Sequence, residues 1–174
     1  MNMPTGLKAS SGQIIISGRV DESAANTFTQ QEVDLQLNVL DREVFVVTAL
    51  DLNVRCPEPQ VSGIDVQSKG WVSTTSRSTV GSISNSNVLG AIRVTADGHA
   101  GGQYVLLDSS SIQSPPTNMD YMGIISTNNF WAGIKGDNNN NEMFIEYRMY
   151  GYRARATADV YAALVQSELL SADA

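Results

Sequence analysis

The chain holds one histidine, His99, and one cysteine, Cys56, so the side chains that most often shuttle protons, attack carbonyls or ligate transition metals are scarce. His99 sits in Asp97-Gly98-His99-Ala100-Gly101, a turn-forming composition in which the imidazole is solvated. Metal chemistry that needs several histidines at strand spacing is excluded in its usual form. Cys56 precedes Pro57 with no histidine nearby in sequence, and it reads as a buried or incidental thiol rather than a nucleophile. A lone cysteine also rules out an intramolecular disulfide.

Oxygen ligands are better supplied. Asp137-Asn138-Asn139-Asn140-Asn141-Glu142 has donors that suit calcium, but not the alternating Asp-x-Asp-x-Asp-Gly layout with a distal glutamate, and it reads as an exposed turn. Trp71, Phe130 and Trp131 are the residues for an aromatic platform that could meet a glycan, although core or interface packing is the commoner fate of such rings. Arg148, Arg153 and Arg155 make the last strand locally basic, with Arg148 on the face opposite the other two, and they read as salt-bridge partners. No residue is assigned a catalytic, cofactor-binding or metal-binding role, and no cofactor is expected. Ile14, Ile15, Ile16, Trp131, Tyr161, Leu164, Val165 and Leu169 are instead the candidates for contacts between chains.

The charge balance agrees with an absence of nucleic-acid chemistry. Eleven Lys and Arg against 18 Asp and Glu leave a net charge of −7, and the basic residues are scattered along the chain. No strong direct nucleic-acid binding is expected without a concentrated basic patch. No basic segment followed by a long apolar stretch opens the chain, no run approaches the roughly 18 apolar residues of a membrane span, and no Asn-x-Ser/Thr acceptor occurs. With 174 residues the chain suits one domain with a full core.

The elements that must carry these residues are mostly strands. Val33, Leu35, Leu37 and Val39 alternate with polar residues, which predicts a strand over Val33–Val39 with one buried face. Val44-Phe45-Val46-Val47 is apolar on both faces before alternation resumes at Leu50, Leu52 and Val54, predicting a second strand, Val44–Arg55. Further strands are expected at Gln13–Ser17, Trp71–Val80, Val88–Ala96, Gln103–Leu107, Tyr121–Ser126, Phe130–Ile134 and Met143–Arg155. Gln60–Gly70 reads as a loop. Pro115-Pro116 lies in another. Residues 1–12 are small and polar and read as a mobile or partner-dependent arm. Thr157 stands at an N-cap position, and Tyr161, Leu164, Val165 and Leu169 recur at helical spacing through Ala158–Leu170. The organisation is a 1–31 arm with a short strand, a 32–155 sandwich and a 156–174 helix and tail.

Leaving aside the short arm strand Gln13–Ser17, eight antiparallel strands with mixed loop lengths predict an all-β fold, a two-sheet antiparallel β-sandwich of jelly-roll type with one C-terminal helix. In layout, over roughly Glu32–Arg155, the chain resembles a single jelly-roll viral capsid protein: an N-terminal arm, eight strands and a C-terminal extension. It departs from that pattern twice. The break at Asp41–Glu43 is short for a connection between sheets, so the first two strands could form a hairpin, and the arm lacks a basic cluster. The resemblance implies a structural shell protein that assembles with copies of itself through its arm, strand edges and C-terminal helix, without catalysis. It further implies localisation in a virion assembled in the host cell, with other virion proteins or a lipid layer as further partners and no transmembrane segment. A carbohydrate- or receptor-binding β-sandwich, such as a virion spike or fibre head, is the alternative.

Overall fold

A computed structural model describes residues 3–59, 63–98 and 119–171, and the backbone of 104–110. Its elements are β1 (Leu7–Ala9), β2 (Ile14–Asp21), β3 (Thr29–Asp34), β4 (Glu43–Val54), β5 (Val66–Ser73), β6 (Val88–Gly98), β7 (Tyr104–Ser110), β8 (Gly123–Ile125), β9 (Asn129–Asp137), β10 (Phe144–Ala156) and α1 (Ala158–Ser171). In the first sheet β1 and β2 lie in line along one side of β10, followed by β4 and β8. The second runs β3-β9-β5-β6-β7. All pairings are antiparallel. From β2 to β5 successive strands alternate between sheets, as they do again from β8 to β10. This interleaving of β2-β10-β4-β8 with β3-β9-β5-β6 is the jelly-roll order, and β7 is added outside β6.

β4 shows why a strand can be apolar on both faces. Phe45 and Val47 point between the sheets into the main core, whereas Val44 and Val46 point the other way into a second cluster with Tyr152, Ala154 and Ala156. Beyond Thr48 the core-facing residues are Leu50, Leu52 and Val54, so the inward set changes from odd to even. A one-residue slip turns every later side chain to the opposite face, and a bulge supplies it. Tyr150 pairs with Ala49 and Gly151 with Val47, leaving Thr48 as the extra residue, its hydroxyl donating to the Tyr150 carbonyl at 3.1 Å. A Cβ on Gly151 would lie 2.3 Å from the Val46 carbonyl oxygen, so the bulge requires glycine there.

The segment before β4 corrects the expected strand Val33–Val39. Pairing with β9 covers Thr29–Asp34 only, and residues 35–42 carry the chain from one sheet to the other. Leu35 and Leu37 are buried as their alternation implied. Their backbone N–H groups, however, donate to the Asn128 carbonyl at 2.8 Å and to its side-chain Oδ1 at 2.5 Å rather than to a neighbouring strand. Gln36 takes φ 52° between them, and Asn38 caps a 3-10 turn over Val39–Asp41. The crossing is therefore longer than the charged break suggested, and β3 and β4 do not form a hairpin.

Three further boundaries move. The strand expected over Trp71–Val80 begins earlier, at Val66, and ends at Ser73, so part of the stretch read as a loop is strand and residues 74–80 are loop. Arg77 is buried in that loop, its backbone N–H and carbonyl both taken by the Gln30 amide at 3.0 and 2.8 Å. The 103–107 strand lies at Tyr104–Ser110, and the 121–126 strand shortens to Gly123–Ile125. His99 and Pro115-Pro116 lie outside the described residues. No helix among the described residues is long and apolar enough to cross a membrane.

Candidate assembly surface

One edge of the first sheet is built from the start of the chain. Of residues 1–12, expected as a mobile or partner-dependent arm, the described residues 3–12 dock on their own chain: Leu7–Ala9 pairs with Ala154–Ala156, and Met3 and Leu7 pack on the second apolar cluster. β2 then pairs with β10 from Ile14 opposite Gly151 to Asp21 opposite Phe144. Alternation divides the three isoleucines. Ile14 and Ile16 pack against the main core, whereas Ile15 stands on the outer face, 57% exposed. Among the described residues no strand pairs with the outer edge of β2 or of β3. At the far end of β2 the Arg19 guanidinium lies 3.7 Å above the Phe144 ring and binds the Asp21 carboxylate.

The C-terminal helix packs on the outer face of the same sheet. Val160, Tyr161 and Leu164 pack on Val44, Val46, Tyr152, Ala154 and Ala156. The next residue of that stripe is a glutamate. Glu168, the one buried residue of α1, accepts hydrogen bonds from the Ser126 N–H (2.7 Å), the Ser126 hydroxyl (2.5 Å), the Thr127 N–H (3.2 Å) and the Thr127 hydroxyl (2.6 Å). It thereby ties the helix to the β8–β9 loop. Its only sequence signal is its place four residues after Leu164. Val165 is half-buried, but Leu169, expected on the packed face, is 59% exposed, and Leu170 beside it 73%.

The aromatic residues do not share a surface. Trp71 is fully buried on the outer side of the second sheet, stacked with Phe28 at 5.1 Å and 28° and seated on Gly133 and Gly81. Phe130 is equally buried on the inner side, edge-on to Tyr147 at 5.7 Å and 88°. Trp131 alone is half-exposed, on β9 opposite Glu32 and Ser73. Packing accounts for Trp71 and Phe130.

The acidic and asparagine-rich turn is exposed at Asn138, Asn140, Asn141 and Glu142, as expected, but it is pinned to the rest of the chain through Asn139 and Asp137. Asn139 is buried, its N–H donating to Asn26 Oδ1 at 2.8 Å and its carbonyl accepting from Asn26 Nδ2 at 2.9 Å. The buried Glu22 carboxylate closes the base of the turn, accepting from the Gly136 and Met143 N–H groups at 2.6 and 2.7 Å. Asp137 is held by Lys69 and by Lys135. The carboxylates here bind the chain's own amides and ammonium groups. Cys56, the lone thiol, is exposed rather than buried.

Two of the three late arginines, Arg153 and Arg155, form salt bridges. Arg155 meets Asp41 at 3.1 Å, and Arg153 lies 4.0 Å from Glu43 while donating to the Leu35 carbonyl at 3.0 Å. Burial opposes ionisation of Glu43. Hydrogen bonds from Asn38 and Ser10 together with the Arg153 and Arg155 charges outweigh it, holding the carboxyl below its usual range.

No protein-family profile matches the chain, and no curated protein matches it. Solved structures do. One, of Desmodium yellow mottle tymovirus, is 12% identical over 91% of this chain and 95% of that one, with a TM-score of 0.32. Another, of the empty head of turnip yellow mosaic virus, is 11% identical over 90% of this chain and 89% of that one, also with a TM-score of 0.32.

Proposed function

We propose that this chain is a structural subunit of a viral shell, acting by self-association rather than catalysis and residing in the assembled particle. The observation that carries the reading is the edge formed by β1 and β2: an eight-residue outer strand with Ile15 exposed and, among the described residues, no partner along its outer edge. Natural sheets shorten, charge or cover such edges, because a strand from another chain can add to them. Here Arg19 and Asp21 guard only one end. The exposed Leu169 and Leu170 at the end of α1 offer a second apolar contact, and symmetry would repeat both around a closed assembly.

Three features set this role above the other uses of a jelly roll. A cupin-type centre needs several histidines, and the chain has one. A glycan platform needs coplanar exposed rings, whereas Trp71 and Phe130 are fully buried. The chemistry-bearing carboxylates Glu22 and Glu168 are occupied in holding loops together. Electron microscopy of the concentrated, purified chain tests the proposal: closed particles of uniform diameter are expected, and a field of monomers across salt and pH would contradict it.

A further inference from the structure

We infer that the cleft between β1, the β3–β4 connection and the start of α1 is a binding site for a phosphate group. The cleft, of about 490 Å³, is lined by Gly6, Leu7, Lys8, Arg42 and residues 155–158. Lys8, Arg42 and Arg155 are far apart in sequence, and they are the charged side chains of that lining. Two independent features place these cations together at a cost to the isolated chain. Lys8 stands directly opposite Arg155 in the β1–β10 register, and like charges across a strand pair repel. Arg42 is held at φ 54°, in the left-handed region a bulky side chain avoids, as the C-cap of the 3-10 turn, with its N–H donating to the Val39 carbonyl and its carbonyl accepting from the Ala156 N–H. Backbone conformations of this kind collect at binding sites.

The surrounding charges only partly compensate. Asp41 engages Arg155 at 3.1 Å, and Glu43 stands opposite Arg155 on β4, itself bound by Ser10 and Asn38 with Arg153 beside it; Asp159 lies in the first turn of α1. Among the described residues neither Lys8 nor Arg42 makes an ion pair. A phosphate oxyanion between them satisfies both and screens the Lys8–Arg155 repulsion. Guanidinium groups suit phosphate because their N–H pairs match its oxygens. The group can come from a nucleic-acid strand or from the free anion. Either way one cleft engages one or two phosphates, consistent with weak strand binding by a single subunit.

The test is thermal unfolding of the full chain in inorganic phosphate against chloride at equal ionic strength, with Lys8→Gln and Arg42→Gln alongside the parent. The parent should show a saturable rise in melting temperature, and each variant should need about tenfold more phosphate for the same rise. In chloride Lys8→Gln should melt no lower than the parent, because it removes the opposed charge. Phosphate also stabilises proteins generally by exclusion from their surface, so an equal rise in parent and variants would overturn the site, as would no rise at all. A parallel titration with a single-stranded oligonucleotide lacking terminal phosphates separates the sources. A rise that needs Lys8 and Arg42 assigns the site to a strand, and a response to inorganic phosphate alone assigns it to the free anion.

Discussion

Glu168 joins helix to sheet through four hydrogen bonds to one carboxylate. Removing an acceptor from buried donors costs more than the bond itself, because the donors are left without water. Glu168→Leu should therefore destabilise by about 3 kcal/mol, and Glu168→Gln, which keeps one acceptor oxygen, by about 1–2 kcal/mol, in urea unfolding. Equal stability of Glu168→Leu and the parent would show that the contact is not holding the helix. Glu43 gives a pH dependence. Its carboxyl is held below the usual range, so its contribution is complete above the unfolded-state pKa and is lost as pH falls through the lower folded-state value. Glu43→Gln should accordingly be less stable than the parent at neutral pH, with the two curves converging in acid. A gap that persists at low pH would assign the loss to packing. These carboxylates were not legible as structural in the sequence: Glu168 keeps the four-residue spacing from Leu164, but its charge reads as solvent-facing beside Leu169, and Glu43 reads as part of a charged break.

The strands themselves were mostly legible, for a physical reason. A half-buried strand alternates, and β10 and the second half of β4 do so plainly. The double-sided run Val44–Val47 was also informative: both faces are covered, one by the opposite sheet and one by α1. Errors arose where burial and backbone pairing part company. Leu35 and Leu37 alternate like a strand yet belong to a crossing bonded to Asn128, and nothing in the local pattern announces a partner some ninety positions away. In α1 the three-to-four spacing located the helix but placed Leu169 on the packed face, where Glu168 sits instead. The cluster beneath α1 is separate from the main core, so disturbing it should loosen the helix before the sandwich. Leu164→Asp should cost about 2–4 kcal/mol by placing a carboxylate against Val44 and Val46, with loss of helical circular dichroism preceding loss of the sheet signal. A single coincident transition at parental stability would contradict that separation. A Cβ added at Gly133 would stand 2.2 Å from the Trp71 ring. Gly133→Ala should shift that indole and lower stability by about 1–3 kcal/mol, read by tryptophan fluorescence alongside denaturation.

At the scale of the whole molecule a net charge of −7 sets the conditions for association. Copies repel at long range, and salt shortens that repulsion to about 8 Å at physiological ionic strength, so contacts through the apolar β2 edge should strengthen as salt rises. Contacts resting on surface ion pairs would weaken instead. The most direct measurement of the central claim is the light-scattering mass of the parent and of Ile15→Lys across protein concentration. Ile15 faces solvent in the single chain, so the substitution should leave the melting temperature within about 2 °C of the parent. The parent is predicted to form large assemblies or a defined oligomer with rising concentration and salt, and Ile15→Lys to remain monomeric. A parent that stays monomeric, or a variant that assembles equally well, would contradict the account of this edge as the surface through which the chain builds its shell.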